Sequence, residues 1–296
     1  MSNLKIGVIG IPGKWSTEVL ADALEQKTGF RLVIDMAHIQ ANLSTNTLSA
    51  GEVNLCHLDG LVVKKISQDY NPNTVDRIEL LRLAESRGVR VFSRPETIIR
   101  MVDRLACTVT LRNGSIPMPD TVVTEDRRAA LVAVKSHGAS VFKPLFSTKA
   151  RGMCVIEAER PDSEILSAID AFREANPMMY IQKKMDLPGR DFGMVFLGGV
   201  YLGTYARIAQ SDTWNTTINS GGKYALHQPP QRTIDLATKA QDLFGMDFTT
   251  VDVADTPDGP IVFEVSAFGG FKGAKEGIGI DAASLYADYV LKELSL

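Results

Sequence analysis

Two acidic side chains, Asp252 and Glu264, lie in a segment whose pattern predicts a β-hairpin. Its centre, residues 255–260, is rich in turn-forming residues, and apolar residues alternate on both sides. Pairing about position 258 sets Asp252 opposite Glu264, with Ser266 two residues further along the same face. Because facing carboxylates repel each other, we expect a cation there, and Mg²⁺ suits one or two carboxylates plus phosphate oxygens. An exposed face on which water screens both charges is the alternative.

A lysine, Lys143, ends an apolar segment that predicts a strand over residues 140–144, and a loop over residues 145–152 follows it. A lysine on a buried strand needs an anion, and hydroxyls, backbone N–H groups and further cations in the loop could fold over phosphates. A lysine that extends its ammonium group into solvent beside an ordinary basic loop is the alternative. The loop side chains that could contact phosphates are Ser147, Thr148, Lys149 and Arg151.

Other motifs do not support a different active site. The glycines after the first apolar segment lack the G-x-G-x-x-G spacing, and Gly13-Lys14 lacks both the first glycine and the hydroxyl of a P-loop. The 4 histidines have no metal-ligand spacing. The 3 cysteines are odd in number and widely spaced, so we expect reduced thiols rather than disulfides or a zinc site.

Composition excludes several classes of protein. The chain has 296 residues and a formal net charge of −3, so it lacks the positive field that holds a nucleic-acid backbone. Its apolar runs are far shorter than the ~20 residues that span a bilayer. The first residues lack the pattern of a signal peptide. We therefore expect a cytoplasmic protein that binds neither nucleic acid nor membranes.

The elements that must position these residues begin with an α/β unit. Over residues 1 to about 95, apolar strands alternate with helices, and three or four parallel strands fit the pattern. Pro95 breaks the pattern, and a helix that begins near Glu96 carries apolar residues at helical spacing through Leu105 and Ala106. A boundary therefore belongs here, and the C-terminal part is rich in predicted strands, at 192–196, 200–209 and 249–265.

In their order along the chain, these motifs resemble the ATP-grasp superfamily from about residue 93 onwards. The closing segments GGFKG at 269–273 and GIGID at 277–281 resemble the ends of ribosomal-protein glutamate ligases and lysine-biosynthesis ligases. The chain also resembles the GAK-system ATP-grasp proteins, a bacterial subgroup. The preceding matches are Arg100 with Asp103 and Arg104, the link 115–119, the Lys143 strand, the hinge 180–185, the segment 189–191, Arg207, Gly221-Gly222 and the hairpin.

The resemblance implies a fold and an activity. The fold class would be α/β and α+β, an ATP-grasp fold with an N-terminal Rossmann-like parallel-sheet domain at 1–95. A central ATP-grasp subdomain at 96–185 and a C-terminal one at 186–296 would clasp the nucleotide. The activity would be that of an ATP-dependent, ADP-forming carboxylate–amine ligase, which makes an amide or peptide bond through an acyl phosphate. The implied cofactors are ATP and Mg²⁺ or Mn²⁺.

The resemblance also implies roles for single residues. Lys143 and Arg207 would be catalytic, with Lys143 on the α- and β-phosphates and Arg207 stabilising the charge of the acyl phosphate. The metal ligands would be Asp252, Glu264 and Ser266. Val141, Ile181, Met185 and Phe263 would form apolar walls around adenine. The nucleotide-binding set would be Arg104, Lys143, Ser147, Thr148, Lys149, Arg151, Gln182, Lys183, Met185 and Asp191.

The chain departs from the family pattern at several positions. Arg104 replaces a lysine, Ser147 and Ala150 replace loop glycines, and Ser266 replaces an asparagine ligand. Glutamate ligases carry an arginine where this chain has Gly193. Three further polar or charged positions of the family are changed, at Asn215, Thr217 and Ser220.

These departures argue against glutamate as the amine substrate and keep two other functions open. One is an ATP–Mg-binding partner protein with little ligase activity, and the other is a kinase that stops at phosphoryl transfer. The expected partners are small-molecule or peptide carboxylates and amines. The identity of both substrates and the formation of a homo-oligomer stay open.

Overall fold

The structure is a computed structural model that describes residues 3–148, 150–209 and 221–295. The predicted phosphate-loop residue Lys149 and the departures at Asn215, Thr217 and Ser220 lie outside these ranges. Within them, no helix is long and apolar enough to cross a membrane.

A parallel sheet of four strands forms the N-terminal part, as the alternation of strands and helices predicts. Its central strands are wholly buried apolar runs, which is typical of parallel sheets covered on both faces. The strands, in the order β2–β1–β6–β7, are Val33–Ile34, Ile6–Ile9, Gly60–Val63 and Arg90–Phe92. The helices are α1, Trp15–Thr28, and α2, Pro72–Ser86.

A small antiparallel sheet, which the sequence pattern did not predict, is inserted between β2 and β6. Its strands β3, β4 and β5 are Ile39–Asn42, Thr47–Ala50 and Val53–Asn54. Leu48 is the one residue of these strands that is fully buried. The segment therefore contains no apolar run from which to predict a strand.

The helix predicted from Glu96 through Ala106 is two helices, so that prediction was wrong. Helix α3, Pro95–Val102, ends before Asp103, and α4, Arg104–Asn113, begins directly after that residue. Asp103 has an extended backbone, and its side chain accepts a hydrogen bond from the Leu105 amide. An aspartate that caps a helix in this way stops the preceding helix, although the apolar spacing continues across it.

The central part is an antiparallel sheet with helices packed on it. The strand order is β10–β9–β11–β8, and β9 ends at Lys143. Buried apolar residues of the two helices pack against Phe142, Met179 and Ile181 of the sheet. The elements are β8 Thr121–Thr124, α5 Arg127–His137, β9 Ala139–Lys143, β10 Cys154–Glu157, α6 Asp162–Ala175 and β11 Met179–Lys183.

The C-terminal part is a five-stranded antiparallel sheet in the order β14–β13–β12–β15–β16. The strands are β12 Arg190–Leu197, β13 Val200–Ile208, β14 Lys223–His227, β15 Phe248–Thr256 and β16 Gly259–Ser266. Helix α7, Gln231–Asp242, follows β14. After β16 come α8, Phe271–Gly273, a π-helical turn, Ala274–Ile278, and α9, Ala282–Leu294.

The last helix returns to the first part of the chain. Helix α9 packs against α1, and Lys27 forms an ion pair of 2.6 Å with Asp288. One buried apolar cluster joins β1 and α1 to Phe248 and α9. These contacts connect the parallel sheet to the C-terminal sheet. The division of the chain into domains at 1–95, 96–185 and 186–296 stays a prediction.

Candidate active site

The hairpin pairs Asp252 with Glu264, which confirms the predicted pairing, but a bulge produces it. Near the turn, Val253 pairs with Val262, which places the centre of the turn half a residue earlier than position 258. Phe263 is then the extra residue of β16, so the register moves by one and Glu264 faces Asp252. The bulge brings two residues of β16, Phe263 and Glu264, opposite a single aspartate.

Four residues form one row across the C-terminal sheet. Tyr205 of β13 pairs with Gly193 of β12, Gly193 pairs with Asp252 of β15, and Asp252 pairs with Glu264 of β16. Directly paired residues of an antiparallel sheet project to the same face. Two residues along β13 from Tyr205, Arg207 therefore projects to this face as well.

Arg207 lies between two carboxylates. Its Nε and Nη2 donate to Asp191 at 3.0 and 2.5 Å, and its Nη2 is 3.0 Å from Asp252 Oδ2. Burial lowers the pKa of Arg207, but Asp252 and Asp191 outweigh it and raise that pKa well above its ordinary value. Burial, together with the charges of Glu264 and Asp191, raises the pKa of Asp252 despite Arg207.

Arg104 connects three elements at the other acid of the hairpin. It is the first residue of α4, and its Nη1 lies 3.1 Å from Glu264 Oε2. Its Nε donates to the Pro144 carbonyl at 3.1 Å, and its Nη2 donates to Ser147 Oγ at 3.5 Å. The guanidinium therefore holds the start of the loop 145–152 beside the hairpin.

Lys143 approaches the same acids from the central sheet. Its Nζ donates to Gln182 Oε1 at 2.5 Å and lies 5.4 Å from the centre of the Phe263 ring. Burial and the nearby Arg104 lower its pKa to about 7, although Glu264 and Asp252 oppose the shift. Gln182 is itself fixed, because its Nε2 donates to Thr121 and Tyr180.

The other predicted site residues lie further from this group. Arg151 forms an ion pair with Asp69 of the loop after β6. Thr148 and Arg151 line an open cavity of about 240 Å³ beside Tyr70. Lys183 ends β11, and Met185 follows it in a half-buried segment.

The acid pair fits Mg²⁺ better than a transition metal. Within the described residues, no group of three or more His, Cys, Asp or Glu side chains could hold a metal ion. Asp252 and Glu264 offer two carboxylates, and Ser266, which pairs with Thr250, follows on the same face. Such an oxygen set suits Mg²⁺, which fills its remaining positions with water and phosphate oxygens. The raised pKa of Asp252 agrees with a buried carboxylate that needs further positive charge.

Sequence reasoning missed two residues of this region. Tyr205 lies in the row beside Gly193, and its position two residues before Arg207 on a strand could have indicated it. Lys64, directly after β6, donates to the Gly269 carbonyl at 2.7 Å, in the loop after the hairpin. No local pattern in the sequence links these two segments.

Cations and carboxylates that converge where two antiparallel sheets meet define a nucleotide site of the ATP-grasp class. The sequence model of the RimK-like ATP-grasp domain matches residues 101–290. The chain therefore belongs to the RimK-like ATP-grasp family, and both the family resemblance and the fold class are confirmed. Membership makes the protein an ATP-dependent carboxylate–amine ligase that forms a C–N bond and releases ADP. ATP and magnesium are the cofactors that the family implies.

Known proteins similar to this chain are also ligases. The chain is 25% identical to the tetrahydromethanopterin:alpha-L-glutamate ligase of Methanosarcina acetivorans, over 97% of this chain and 98% of that protein. It is 25% identical to the ribosomal protein bS6–L-glutamate ligase of Salmonella paratyphi B, over 71% of this chain and 70% of that protein. A solved structure of the ATP-grasp ligase PsnB with a precursor variant, Mg and ADP has a TM-score of 0.75 at 14% identity, covering 99% of this chain and 100% of that one.

Proposed function

We propose that the protein transfers the γ-phosphoryl group of ATP to a carboxylate and joins the acyl phosphate to an amine on the face that carries Arg207. The observation that carries this proposal is the position of Arg207 between Asp191 and Asp252. Arg207 lies two residues along β13 from Tyr205, on the face of the sheet that also carries Glu264. A guanidinium that both carboxylates hold in place is positioned before any substrate binds. Its charge is then directed at the site where the acyl phosphate forms.

Lys143 is proposed to bind the α- and β-phosphates. Burial and the nearby Arg104 lower its pKa to about 7, and a triphosphate would restore its charged form. Gln182 orients the ammonium group, and Arg104 with Ser147 holds the start of the loop over the phosphates. Mg²⁺ or Mn²⁺, held by the proposed ligands Asp252, Glu264 and Ser266, would neutralise phosphate charge.

The adenine is proposed to bind at the end of β11. The amides of Lys183 and Lys184 donate to the carbonyls of Asp120 and Ala139. Within the described ranges the Met185 amide has no such partner, so it can donate to a purine nitrogen. Val141 is buried on the same face of the central sheet as Gln182 and Lys143, and supplies an apolar wall. Ile181 lies on the opposite face, against the helices, so its expected place in the adenine wall is not part of this proposal.

The two chemical steps follow from these positions. A carboxylate oxygen forms a bond to the γ-phosphorus while the bond from that phosphorus to the bridging oxygen breaks, and ADP leaves with the electron pair. The amine nitrogen then forms the C–N bond, phosphate leaves with the electrons of the C–O bond, and the nitrogen gives its proton to solvent. The raised pKa of Arg207 keeps it charged throughout, so its role is electrostatic rather than proton transfer.

The substrates are proposed to be small-molecule or peptide carboxylates and amines. Support comes from the similar proteins, whose names include a tetrahydromethanopterin ligase and a ribosomal-protein ligase. We also place the reaction in the cytoplasm and keep the division into three domains as part of this proposal. Assembly into a homo-oligomer stays open.

To test the ligase reaction, the protein is incubated with Mg²⁺, ATP and pools of carboxylates and amines, and the nucleotide and phosphate products are measured. We expect ADP and phosphate only when both pools are present, and AMP with pyrophosphate would contradict the proposal. A phosphorylated product that accumulates without an amine would indicate a kinase. Magnesium-dependent ATP binding without turnover would indicate a nucleotide-binding partner protein.

Arg207→Lys tests the central role of the guanidinium. A lysine keeps the charge but lacks the planar fork that binds Asp191 through two nitrogens, so we expect ADP release to slow by about 100-fold. Arg160→Lys, at an exposed position, is the matched control and should leave the rate unchanged. Equal rates for Arg207→Lys and the wild type would contradict the role.

A further inference from the structure

The ring of Tyr205 is enclosed by four glycines. A Cβ atom added at Gly193 would lie 2.2 Å from Tyr205 Cζ, and one at Gly273 would lie 2.4 Å from the same atom. A Cβ at Gly277 would lie 2.4 Å from Tyr205 Cβ, and one at Gly270 would lie 3.2 Å from the hydroxyl oxygen. None of these four glycines has a positive φ, so space for the ring, and not backbone conformation, requires them.

The hydroxyl of this tightly held tyrosine has no hydrogen-bond partner among the described residues. Tyr205 is only 4% exposed, and Tyr224 packs edge-on against its ring with 5.2 Å between ring centres. In the described part of the chain, three side-chain atoms lack a hydrogen-bond partner and are also shielded completely from solvent. The Tyr205 hydroxyl oxygen is not one of these three atoms. The hydroxyl oxygen is therefore not fully enclosed, and a ligand can accept its hydrogen bond.

The hydroxyl is a neutral hydrogen-bond donor, and the charged groups near it are Arg207, Asp252 and Asp191. Burial raises the pKa of Tyr205 far above its ordinary value despite Arg207, so the phenol stays protonated and can act as a donor. Tyr205 and Arg207 project from the same face of β13, next to Asp252. A neutral donor beside a fixed guanidinium is the arrangement that stabilises an oxygen atom on which negative charge develops.

We propose that the Tyr205 hydroxyl binds the acyl oxygen of the activated substrate, on the side of the acyl group next to Arg207. This inference rests on the proposed function. As the amine adds to the acyl carbon, negative charge grows on that oxygen, and the phenol donates a hydrogen bond without transferring its proton. The four glycines then serve to hold the phenol at this place.

The test compares the wild type with Tyr205→Phe, which keeps the ring and removes only the hydroxyl. The first readout is the affinity of the ADP–Mg complex of the protein for acetyl phosphate, the simplest acyl phosphate, by calorimetry. We expect the variant to bind acetyl phosphate about ten-fold or more weakly, and ADP–Mg with unchanged affinity. Tyr201→Phe removes a hydroxyl from the same strand that is bonded to Thr204, and should change neither affinity.

Thermal unfolding separates this role from a structural one. Among the described residues the Tyr205 hydroxyl has no hydrogen-bond partner, so its removal should leave the melting temperature equal or higher. A lower melting temperature with unchanged acetyl phosphate affinity would assign the hydroxyl to folding and overturn the proposal. A wild type that binds no acetyl phosphate would overturn it as well.

A second readout distinguishes this proposal from the proposed function. With ATP, Mg²⁺, a pool of carboxylates and hydroxylamine, a ligase makes hydroxamates, and Tyr205→Phe should make them at least ten-fold more slowly. Acetyl phosphate binding that depends on Tyr205, in a wild type that makes no hydroxamate, would reject the ligase function and keep the binding role. Equal hydroxamate rates for both proteins would reject the role of Tyr205 alone.

Discussion

Each acid of the hairpin is held by its own arginine, but the two pairs differ in their surroundings. The Glu264 side chain is 42% exposed, and its partner Arg104 is 10% exposed. The Asp252 side chain is 16% exposed and shares Arg207 with Asp191. A half-exposed ion pair contributes little to folding, so the position of Glu264 beside Arg104 is better explained by a ligand than by stability.

Replacement of Glu264 by alanine tests the hairpin as the metal site. The change removes one of the two carboxylates and leaves Arg104 without its acid, so we expect magnesium-dependent ATP binding to be lost in calorimetry. Asp258→Ala, in the exposed turn of the same hairpin, should bind ATP–Mg as the wild type does. Unchanged ATP affinity in Glu264→Ala would refute the assignment of the metal site.

The residues of the site were predictable where their own segment carries the signal. Asp252 and Glu264 flank a turn that the sequence shows directly, and Lys143 stands out on an apolar strand. Gln182 was predicted as a nucleotide ligand, and the structure adds that it fixes Lys143. Tyr205 was missed because its environment comes from glycines far apart in the chain, which no local pattern connects.

At the scale of elements, Gly193 of β12 leaves room above the sheet for the Tyr205 ring of β13, while backbone hydrogen bonds set the spacing of the two strands. The central position of β12 in its sheet prevents it from moving away from a larger residue. Any side chain at position 193 must therefore compete with the ring for the same space.

Gly193→Ala should destabilise the protein by about 1–3 kcal/mol, because the added methyl group overlaps the ring. In a Tyr205→Ala background the methyl group has space, so the same change should cost much less. Urea unfolding of the wild type, both single variants and the double variant measures this coupling. Additive effects would show that the two positions do not compete.

The elements of the C-terminal sheet were largely predicted, but the bulge in its hairpin was not. The apolar pattern predicts strands at 192–196 and 200–209. The structure extends the first to Arg190–Leu197 and ends the second one residue earlier, at Val200–Ile208. The bulge at Phe263 has no sequence signal, since one extra residue in a strand leaves the composition unchanged. The pairing of Asp252 with Glu264 was predicted correctly, although the prediction assumed a regular hairpin without a bulge.

At the scale of the whole molecule, Lys64 links the parallel sheet to the loop that follows the hairpin. Its ammonium group is buried, donates to the Gly269 carbonyl and lies 4.3 Å from the centre of the Phe271 ring. Burial and the neighbouring Lys65 lower the pKa of Lys64 to about 7. An exposed lysine in the unfolded chain has a pKa near ~10.4, so the unfolded state binds more protons between these values.

The stability of the wild type relative to Lys64→Met should therefore rise between pH 7 and pH 9. Over this range the unfolded chain holds the lysine proton and the folded protein releases it, and a higher pH favours the state that has released the proton. The slope is at most about 1.4 kcal/mol per pH unit, and urea unfolding of both proteins at each pH measures it. Lys239→Met, at an exposed position of α7, is the matched control and should show a constant difference from the wild type. A constant difference for Lys64→Met would contradict the lowered pKa.

The order in which the chain is synthesised gives the packing of α9 on α1 a consequence for folding in the cell. The apolar face of α1 is complete early in translation, but α9 covers part of it only after residues 282–294 have left the ribosome. Contacts so distant in sequence form slowly, and exposed apolar surface favours aggregation in the meantime. We therefore expect the nascent chain to depend on chaperones until its last helix has emerged.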